Sequence, residues 1–163
     1  MSKLYLAGPD VFRPDAAAWA AHAVARCREC GHRAMVPLDA AGATAGDIYR
    51  NNLLRIAEAD VVLANLNPFR GDEPDSGTCV EIGYALALGK PVIGYADDLR
   101  PLRERLGASG PGADGRCRDG AGNAVEDFGL PLNLMLAVPL QLVQGGIEVA
   151  LAALERSTSG REP

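Results

Sequence analysis

The chain has 163 residues, of which 48% are hydrophobic and 23% are charged. This composition is typical of a soluble globular protein, and the length suits one domain better than two. No apolar run reaches the ~20 residues that cross a bilayer, and the first residues do not form a secretory signal. We therefore expect a cytoplasmic protein that has no membrane partner. The formal net charge of −5 disfavours a nucleic-acid partner, which requires a basic face.

Strand and helix patterns alternate along the first 95 residues. Strands are predicted over 3–7, 33–37, 60–65 and 91–95, and helices over 14–30, 45–58 and 78–88. The third strand carries an unbroken apolar run, which is typical of a strand that is covered on both faces. The alternation predicts an α/β protein with a parallel sheet and right-handed crossovers.

The remainder of the chain is less regular. Residues 97–130 contain seven of the nineteen glycines and are predicted to form a long surface loop, which is often functional at such a length. A short element is predicted over 131–137, a final helix over 139–155 and a frayed polar tail over 156–163. No internal repeat or second domain is indicated, so we expect a single domain over 1–163.

Two of the four cysteines, Cys27 and Cys30, form a CxxC motif near the end of the first predicted helix. A zinc site would need a second pair of ligands at a compatible spacing. A thioredoxin-type pair would instead begin a helix that follows a strand. We therefore predict reduced thiols without a metal or redox role.

Two carboxylates, Asp75 in the loop after the third strand and Glu81 in the first turn of the next predicted helix, lie where open α/β sheets bind ligands. Thr78 and Glu81 fit a capping box, in which Glu81 only satisfies a backbone donor. Alternatively, the positive end of the helix keeps Glu81 ionised, as a nucleophile for a sugar anomeric carbon. Spacing alone favours the cap. Gly83, which costs about 1 kcal/mol relative to alanine inside a helix, suggests close approach of another backbone or a ligand.

Asp75 itself has two interpretations. A Pro-Asp-Ser-Gly sequence is an ordinary turn, but the carboxylate there can also accept a hydrogen bond from a ligand hydroxyl.

The first strand ends at the same edge of the predicted sheet. Tyr5 is by default a core residue, but its phenol could also hydrogen-bond the Glu81 carboxylate. Phe12 either stacks on a planar base or packs against the helix that follows. The AGPDVF loop is neither a dinucleotide-binding motif nor a P-loop, and Asp10 stands where a phosphate site needs amides and a cation.

Several motifs taken together resemble the nucleoside 2-deoxyribosyltransferases. They are YLAGPDVF at 5–12, the helix with Asn51-Asn52, ADVVLANL at 59–66, DSGTCVEIGYA at 75–85, GKPVIGY at 89–95 and NLML at 133–136. The resemblance implies a flavodoxin-like three-layer sandwich with a five-stranded parallel sheet. It also implies transfer of 2-deoxyribose between nucleobases, without metal or cofactor, by a homo-oligomer with shared active sites. The implied small-molecule partners are deoxynucleosides and free nucleobases.

The resemblance also assigns residues. It implies that Glu81 is the nucleophile, that Tyr5 orients it and that Asp75 binds a deoxyribose hydroxyl. Asn133, with Met135 beside it, matches an asparagine that members supply to the sugar site of a neighbouring subunit. The residues expected to bind substrate are Gly8, Asp10, Phe12, Asp47, Asn52, Gly77, Asn133 and Met135.

Two of these assignments remain open. Asn52 falls where some family members place an aspartate that engages the base, so the base preference does not follow from the sequence. A general acid must protonate the leaving base, and Asp10 and Asp47 are the candidates.

Two other functions stay open. A hydrolase of the same fold would pass the sugar of deoxynucleosides or their 5′-monophosphates to water. For a monophosphate, however, the first loop offers Arg13 as its only cation. A non-catalytic nucleoside-binding module would keep the pocket without needing Glu81.

Overall fold

A computed structural model describes residues 1–38 and 42–159 of the chain. Its first half alternates strands and helices, in this order: β1 Lys3–Ala7, a 3-10 helix Pro9–Phe12, α1 Ala16–Glu29, β2 Arg33–Met35, α2 Ala45–Glu58, β3 Val61–Asn65, α3 Ser76–Ala87 and β4 Val92–Ala96. Each predicted strand and helix is present in this half, with ends that agree within two residues.

The second half differs from the prediction at its end. It contains α4 Leu102–Arg105, β5 Cys117–Arg118, β6 Ala124–Val125, α5 Leu134–Ala137, β7 Gln141–Gln144 and α6 Ile147–Ser159. The single helix predicted over 139–155 is wrong, because a strand and a glycine pair precede the helix. The frayed tail predicted from 156 is also wrong as far as Ser159, and residues 160–163 lie outside the described residues.

The five long strands form one parallel sheet in the order β2-β1-β3-β4-β7. This confirms the expected fold class, an α/β protein with a five-stranded parallel sheet. β3 and β4 are buried along their whole length, as the apolar run of β3 predicts. The chain runs outward from β1 to β2 and then returns to β3 on the other side of β1. Such a reversal of strand order is where open sheets form ligand clefts.

Helices cover both faces of the sheet, and the pleat of β1 decides which side chains meet them. Leu4 and Leu6 belong to a core cluster that also includes residues of α1 and α6. Tyr5 and Ala7 point to the opposite face and pack in a cluster with residues of α2 and α3. Successive side chains of a strand alternate between faces, so Tyr5 lies on the α3 side of the sheet, where Glu81 is.

The excursion over 97–130 has structure of its own. It contains α4 and a small antiparallel pair, β5 with β6. It is bonded to neighbouring segments, with Leu102 N donating to Leu130 O at 2.8 Å and Arg103 pairing with Asp127 at 2.8 Å. The long predicted loop is therefore a folded arm rather than a strand-free connection.

All four cysteines are free thiols, and Cys27 is buried in α1. Within residues 1–38 and 42–159, no cluster of three or more His, Cys, Asp or Glu side chains could hold a metal ion. The same residues include no helix that is long and apolar enough to cross a membrane.

Candidate active site

A cleft of about 370 Å³ opens at the carboxyl edge of the sheet, beside the reversal between β1 and β3. Six residues predicted from the sequence line it: Gly8, Phe12, Asn52, Asp75, Gly77 and Glu81. The lining also includes residues that the sequence does not predict as site residues: Val11, Pro37, Leu38, Gly42, Ala43, Ile48 and Thr78. Ile48 is one helical turn before Asn52 on α2, a spacing that places both on one face.

Glu81 does not cap its helix. The helix begins at Ser76, two residues earlier than predicted, so Glu81 lies in the second turn. Asp75 is the N-cap, and its Oδ2 accepts hydrogen bonds from Thr78 N at 2.9 Å and Thr78 Oγ1 at 3.1 Å. The capping-box interpretation of Glu81 is therefore wrong, because Asp75 already satisfies the donors at this helix end.

Two side chains from other elements donate to the Glu81 carboxylate. The Tyr5 hydroxyl on β1 donates to Oε1 at 2.6 Å, and Asn52 Nδ2 on α2 donates to the same oxygen at 3.3 Å. Among the described residues, no hydrogen bond reaches Oε2. The carboxylate is thus held through one oxygen while the other is left for a ligand.

The surroundings of Glu81 oppose its ionisation. Burial, and to a lesser extent the nearby charge of Asp75, raise the pKa of Glu81, while the hydrogen bonds from Tyr5 and Asn52 lower it. The net effect is a raised pKa. The sequence-based expectation that the helix end keeps Glu81 ionised is not supported, because the residue lies one turn too far into α3.

Close backbone packing shapes the cleft at Gly8. A Cβ at this position would approach the Asn65 Cβ to 2.8 Å, and its φ of +155° lies in a region that side chains rarely adopt. The first loop therefore packs directly on the end of β3. At Gly83, where the sequence suggests close approach of another backbone or a ligand, nothing among the described residues lies within 4 Å of a Cβ built there, so no other backbone of the described chain approaches it.

Neither candidate for the general acid lines this cleft. Asp10 is buried behind Gly8, accepts a hydrogen bond from Asn65 Nδ2 at 2.8 Å and lines an adjoining cavity. Burial raises the pKa of Asp10. Asp47 forms the capping box of α2 with Thr44, whose hydrogen bonds lower the pKa of the Asp47 carboxyl. The geometry supports neither residue as the proton donor.

Asn133 and Met135 line a second cavity, together with α3 residues that do not line the Glu81 cleft, Gly83 among them. Asn133 is the N-cap of α5: its Oδ1 accepts from Met135 N at 3.0 Å, and its Nδ2 donates to Glu126 at 2.8 Å. Met135 is 73% exposed. Within one chain these residues are separate from the Glu81 cleft, and their predicted role in a neighbouring site remains a prediction.

The Asn52 side chain is engaged at both ends of its amide. While Nδ2 donates to Glu81, Oδ1 accepts from Arg55 Nη1 at 2.9 Å. This position supports the carboxylate directly. Its predicted contact with the base remains a prediction.

Taken together, the parallel sheet, the cleft beside its strand reversal and the half-buried Glu81 carboxylate define a flavodoxin-like α/β domain with a small-molecule site. The family model of the nucleoside 2-deoxyribosyltransferases matches residues 4–135. The chain belongs to the nucleoside 2-deoxyribosyltransferase family, as its sequence motifs predict.

Individual relatives agree in fold. A solved 2-desoxiribosyltransferase from Leishmania mexicana is 36% identical, with a TM-score of 0.82 over 96% of this chain and 98% of that one. A CMP N-glycosidase from Clostridium botulinum shares only the fold, at 15% identity and a TM-score of 0.54 over 94% and 98% of the two chains.

A curated but uncharacterized protein of Schizosaccharomyces pombe is 34% identical over 113 residues, which are 63% of this chain. The matched region is 54% of that relative, so the chain spans about half of its length.

Proposed function

We propose that the chain transfers 2-deoxyribose between nucleobases by double displacement, with Glu81 as the nucleophile. The observation that carries this proposal is the carboxylate itself. It lies in the cleft, held on Oε1 by Tyr5 and Asn52, with Oε2 left without a partner among the described residues. Family membership supplies the substrate class.

The proposed reaction consists of two half-reactions. A Glu81 oxygen attacks the anomeric carbon while the bond to the base nitrogen breaks, and the leaving base takes the electron pair and then a proton. The product is a deoxyribosyl ester of Glu81 with inverted configuration. The nitrogen of a second base then attacks the same carbon, loses its proton and releases the carboxylate. Two inversions give net retention with ping-pong kinetics.

Other cleft residues have roles that fit this chemistry. Oδ1 of Asp75 has no hydrogen-bond partner among the described residues and, at the cleft wall, can accept a bond from a sugar hydroxyl. The ring of Phe12 lines the same cleft and can stack on the base. The Tyr5 hydroxyl fixes the Glu81 rotamer, so that Oε2 faces the sugar.

Hydrolysis shares the first half of this reaction and differs only in the acceptor. The described lining of the cleft contains no lysine or arginine, and the three positions 39–41 are Asp-Ala-Ala in the sequence. Arg13 pairs with Asp15 at 2.9 Å and faces the adjoining cavity. A 5′-phosphate would therefore meet no cation among the described lining residues, which favours unphosphorylated nucleosides.

Incubation with deoxyinosine, with and without free adenine, tests the proposal by chromatography. Deoxyadenosine that forms only when adenine is present indicates transfer. Free deoxyribose that forms at the same rate with or without adenine indicates hydrolysis and would contradict the proposal. Binding of deoxyinosine with no product in either reaction would favour the non-catalytic module.

The nucleophile is tested with Glu81→Ala. Because Asp75 rather than Glu81 caps the helix, the variant is expected to stay folded and to lose nearly all transfer. Glu58→Ala, which removes a surface partner of Lys3, is the matched control. Wild type that is incubated with deoxyinosine alone and then quenched should show a deoxyribosyl adduct by intact-mass analysis, and Glu81→Ala should lack that adduct. An active, folded Glu81→Ala protein would exclude the assignment.

A further inference from the structure

A cluster of two aromatic rings and one guanidinium borders the Glu81 cleft. The rings of Phe12 and Phe69 are stacked, with centroids 5.4 Å apart and planes at 15°. The guanidinium carbon of Arg70 lies 4.7 Å from the Phe69 centroid and 5.1 Å from that of Phe12. Of these three side chains, only Phe12 lines the cleft. Phe69 and Arg70 therefore contact the Phe12 ring without lining this cleft, and Phe69 lines the adjoining cavity together with Phe12.

The loop after β3 is anchored so that Phe69 reaches this position. Asn67 donates through its backbone N and its Nδ2 to Asn65 Oδ1, at 3.1 and 3.0 Å, and so ties the loop to the strand end. Phe69 N donates to Glu73 O at 3.0 Å and closes a tight turn. The support for the Phe12 ring thus comes from a fixed part of the sheet edge.

Arg70 adopts a backbone conformation that does not suit it. Its φ is 55°, the left-handed region that glycine and asparagine enter more readily than long side chains. Among the described residues no other non-glycine residue has a positive φ. A residue held against its backbone preference marks a site where the side chain itself has a use, and here the guanidinium covers both rings.

Phe12 needs such support because the protein leaves it 56% exposed at the end of a one-turn 3-10 helix. A half-exposed ring that is free to rotate makes a poor stacking surface. The contacts of Phe69 and Arg70 with the Phe12 ring restrict its rotation.

We infer that Phe69 and Arg70 are positioning residues that hold the Phe12 ring as a stacking surface for the nucleobase of the substrate. The inference rests on the proposed function, since it takes the ligand of the cleft to be a nucleoside or free base. Neither residue shares a described hydrogen bond with Glu81, Tyr5 or Asn52. Their loss should therefore weaken base binding and leave the chemical step unchanged.

Calorimetric titration with free adenine tests this without turnover, since no sugar donor is present. Phe12→Ala, Phe69→Ala and Arg70→Asn should each weaken binding about three- to tenfold, as expected for losing one aromatic or cation–π contact. Asparagine suits the left-handed backbone at position 70, so a weaker complex with Arg70→Asn does not arise from backbone strain. Phe69→Tyr and Arg70→Lys should restore most of the affinity. Arg100→Ala, which removes an exposed arginine paired with Asp98, is the control.

Transfer kinetics add a second measurement. In Phe69→Ala and Arg70→Asn, the KM for adenine should rise by the same factor as the dissociation constant, while kcat changes less than about twofold. Adenine binding that these two variants leave within twofold of wild type would overturn the inference. Equal losses with Phe69→Tyr and Phe69→Ala would also overturn it. If adenine binds and the variants weaken it although no transfer occurs, the inference stands and the proposed reaction fails.

Discussion

At Glu81, the ionisation that a nucleophile needs conflicts with the surroundings of the side chain. A nucleophile must be ionised, but burial and the charge of Asp75 raise its pKa. The donors on Oε1 offset part of this cost, because hydrogen bonds to the charged form of a carboxyl favour it. The reactivity of this residue should therefore be governed by pH and by the Tyr5 hydroxyl.

Tyr5→Phe should move the acid limb of the pH profile. The substitution removes a donor that lowers the pKa of Glu81, so the pKa rises further and activity is lost at a higher pH on acidification. At neutral pH, kcat/KM should fall about tenfold or more, the usual effect of losing a hydrogen bond to a charged group. Tyr49→Phe, on an exposed tyrosine, should leave the profile in place. An acid limb unchanged in Tyr5→Phe would show that the hydroxyl does not control the ionisation of Glu81.

Glu81→Gln should stabilise the protein at neutral pH. With its folded pKa raised above the ordinary value of 4.5, Glu81 binds more protons folded than unfolded. The free energy of unfolding therefore falls as pH rises from the ordinary pKa of the unfolded chain through the raised pKa of folded Glu81. Glutamine avoids this loss and still accepts hydrogen bonds from Tyr5 and Asn52. Thermal unfolding should show a higher Tm than wild type at about pH 7 and a smaller difference at about pH 4. A variant less stable than wild type at about pH 7 would contradict the raised pKa.

At the level of elements, the start of α3 combines a structural and a functional task in one residue. Asp75 caps the helix through Oδ2, and the same residue lines the cleft. Gly77 fits beside it because a Cβ there would lie 3.0 Å from Asp75 Oδ2. The position of Glu81 in the cleft therefore depends on where Asp75 begins the helix.

A pair of substitutions separates the two tasks. Asp75→Ala removes the cap and should destabilise the protein by about 1 kcal/mol. Asp75→Asn keeps an N-cap acceptor, so urea unfolding should show near wild-type stability, while transfer falls because the charged acceptor for the sugar hydroxyl is lost. It should also shift the acid limb to lower pH, since the Asp75 charge raises the pKa of Glu81. Full activity in Asp75→Asn would mean that the residue is only a cap.

The sequence predicts those elements whose pattern comes from burial on both sides. β3 is an example, because its unbroken apolar run by itself predicts a strand that is buried on both faces. β7 was missed because it is four residues long, half-exposed and at the edge of the sheet, so its apolar residues merge with those of α6. The Asp75 cap was missed because Thr78 and Glu81 also fit a capping pattern.

The contacts of the candidate site are less predictable from the sequence than the buried strands are. Parallel strands place Tyr5 and Glu81 near one edge, which allows a phenol to bond a carboxylate 76 residues away, but core packing is the default for such a tyrosine and the family motifs favour the bond. The contact between Phe12 and Phe69 depends on the conformation of an irregular loop, and no periodic pattern indicates it.

At the level of the whole molecule, the two sets of predicted site residues are in separate cavities of one chain. A shared site would bring Asn133 of one subunit to the Glu81 cleft of another. A homo-oligomer with closed symmetry would repeat this contact in every subunit.

Mixing two inactive variants tests shared sites. Glu81→Ala and Asn133→Ser should each be inactive alone, the serine being chosen because it still caps α5. After the two are unfolded and refolded together, mixed oligomers should contain some sites with both residues intact, and transfer should reappear. Glu81→Ala refolded with Glu81→Gln should stay inactive. A monomer in sedimentation, or no recovered activity in confirmed mixed oligomers, would rule out shared sites.

The hydrogen bond between Tyr5 and Glu81 also has a consequence for biogenesis. Its partners are on the first strand and the third helix, and β1 pairs with β3, which precedes that helix. A growing chain therefore cannot hold the Glu81 carboxylate in its site until the centre of the sheet has assembled, since contacts distant in sequence form only after their loops close. The return of transfer activity during refolding should consequently come no earlier than the closure of β1 onto β3, because Tyr5 on β1 and Glu81 on α3 must both be in place.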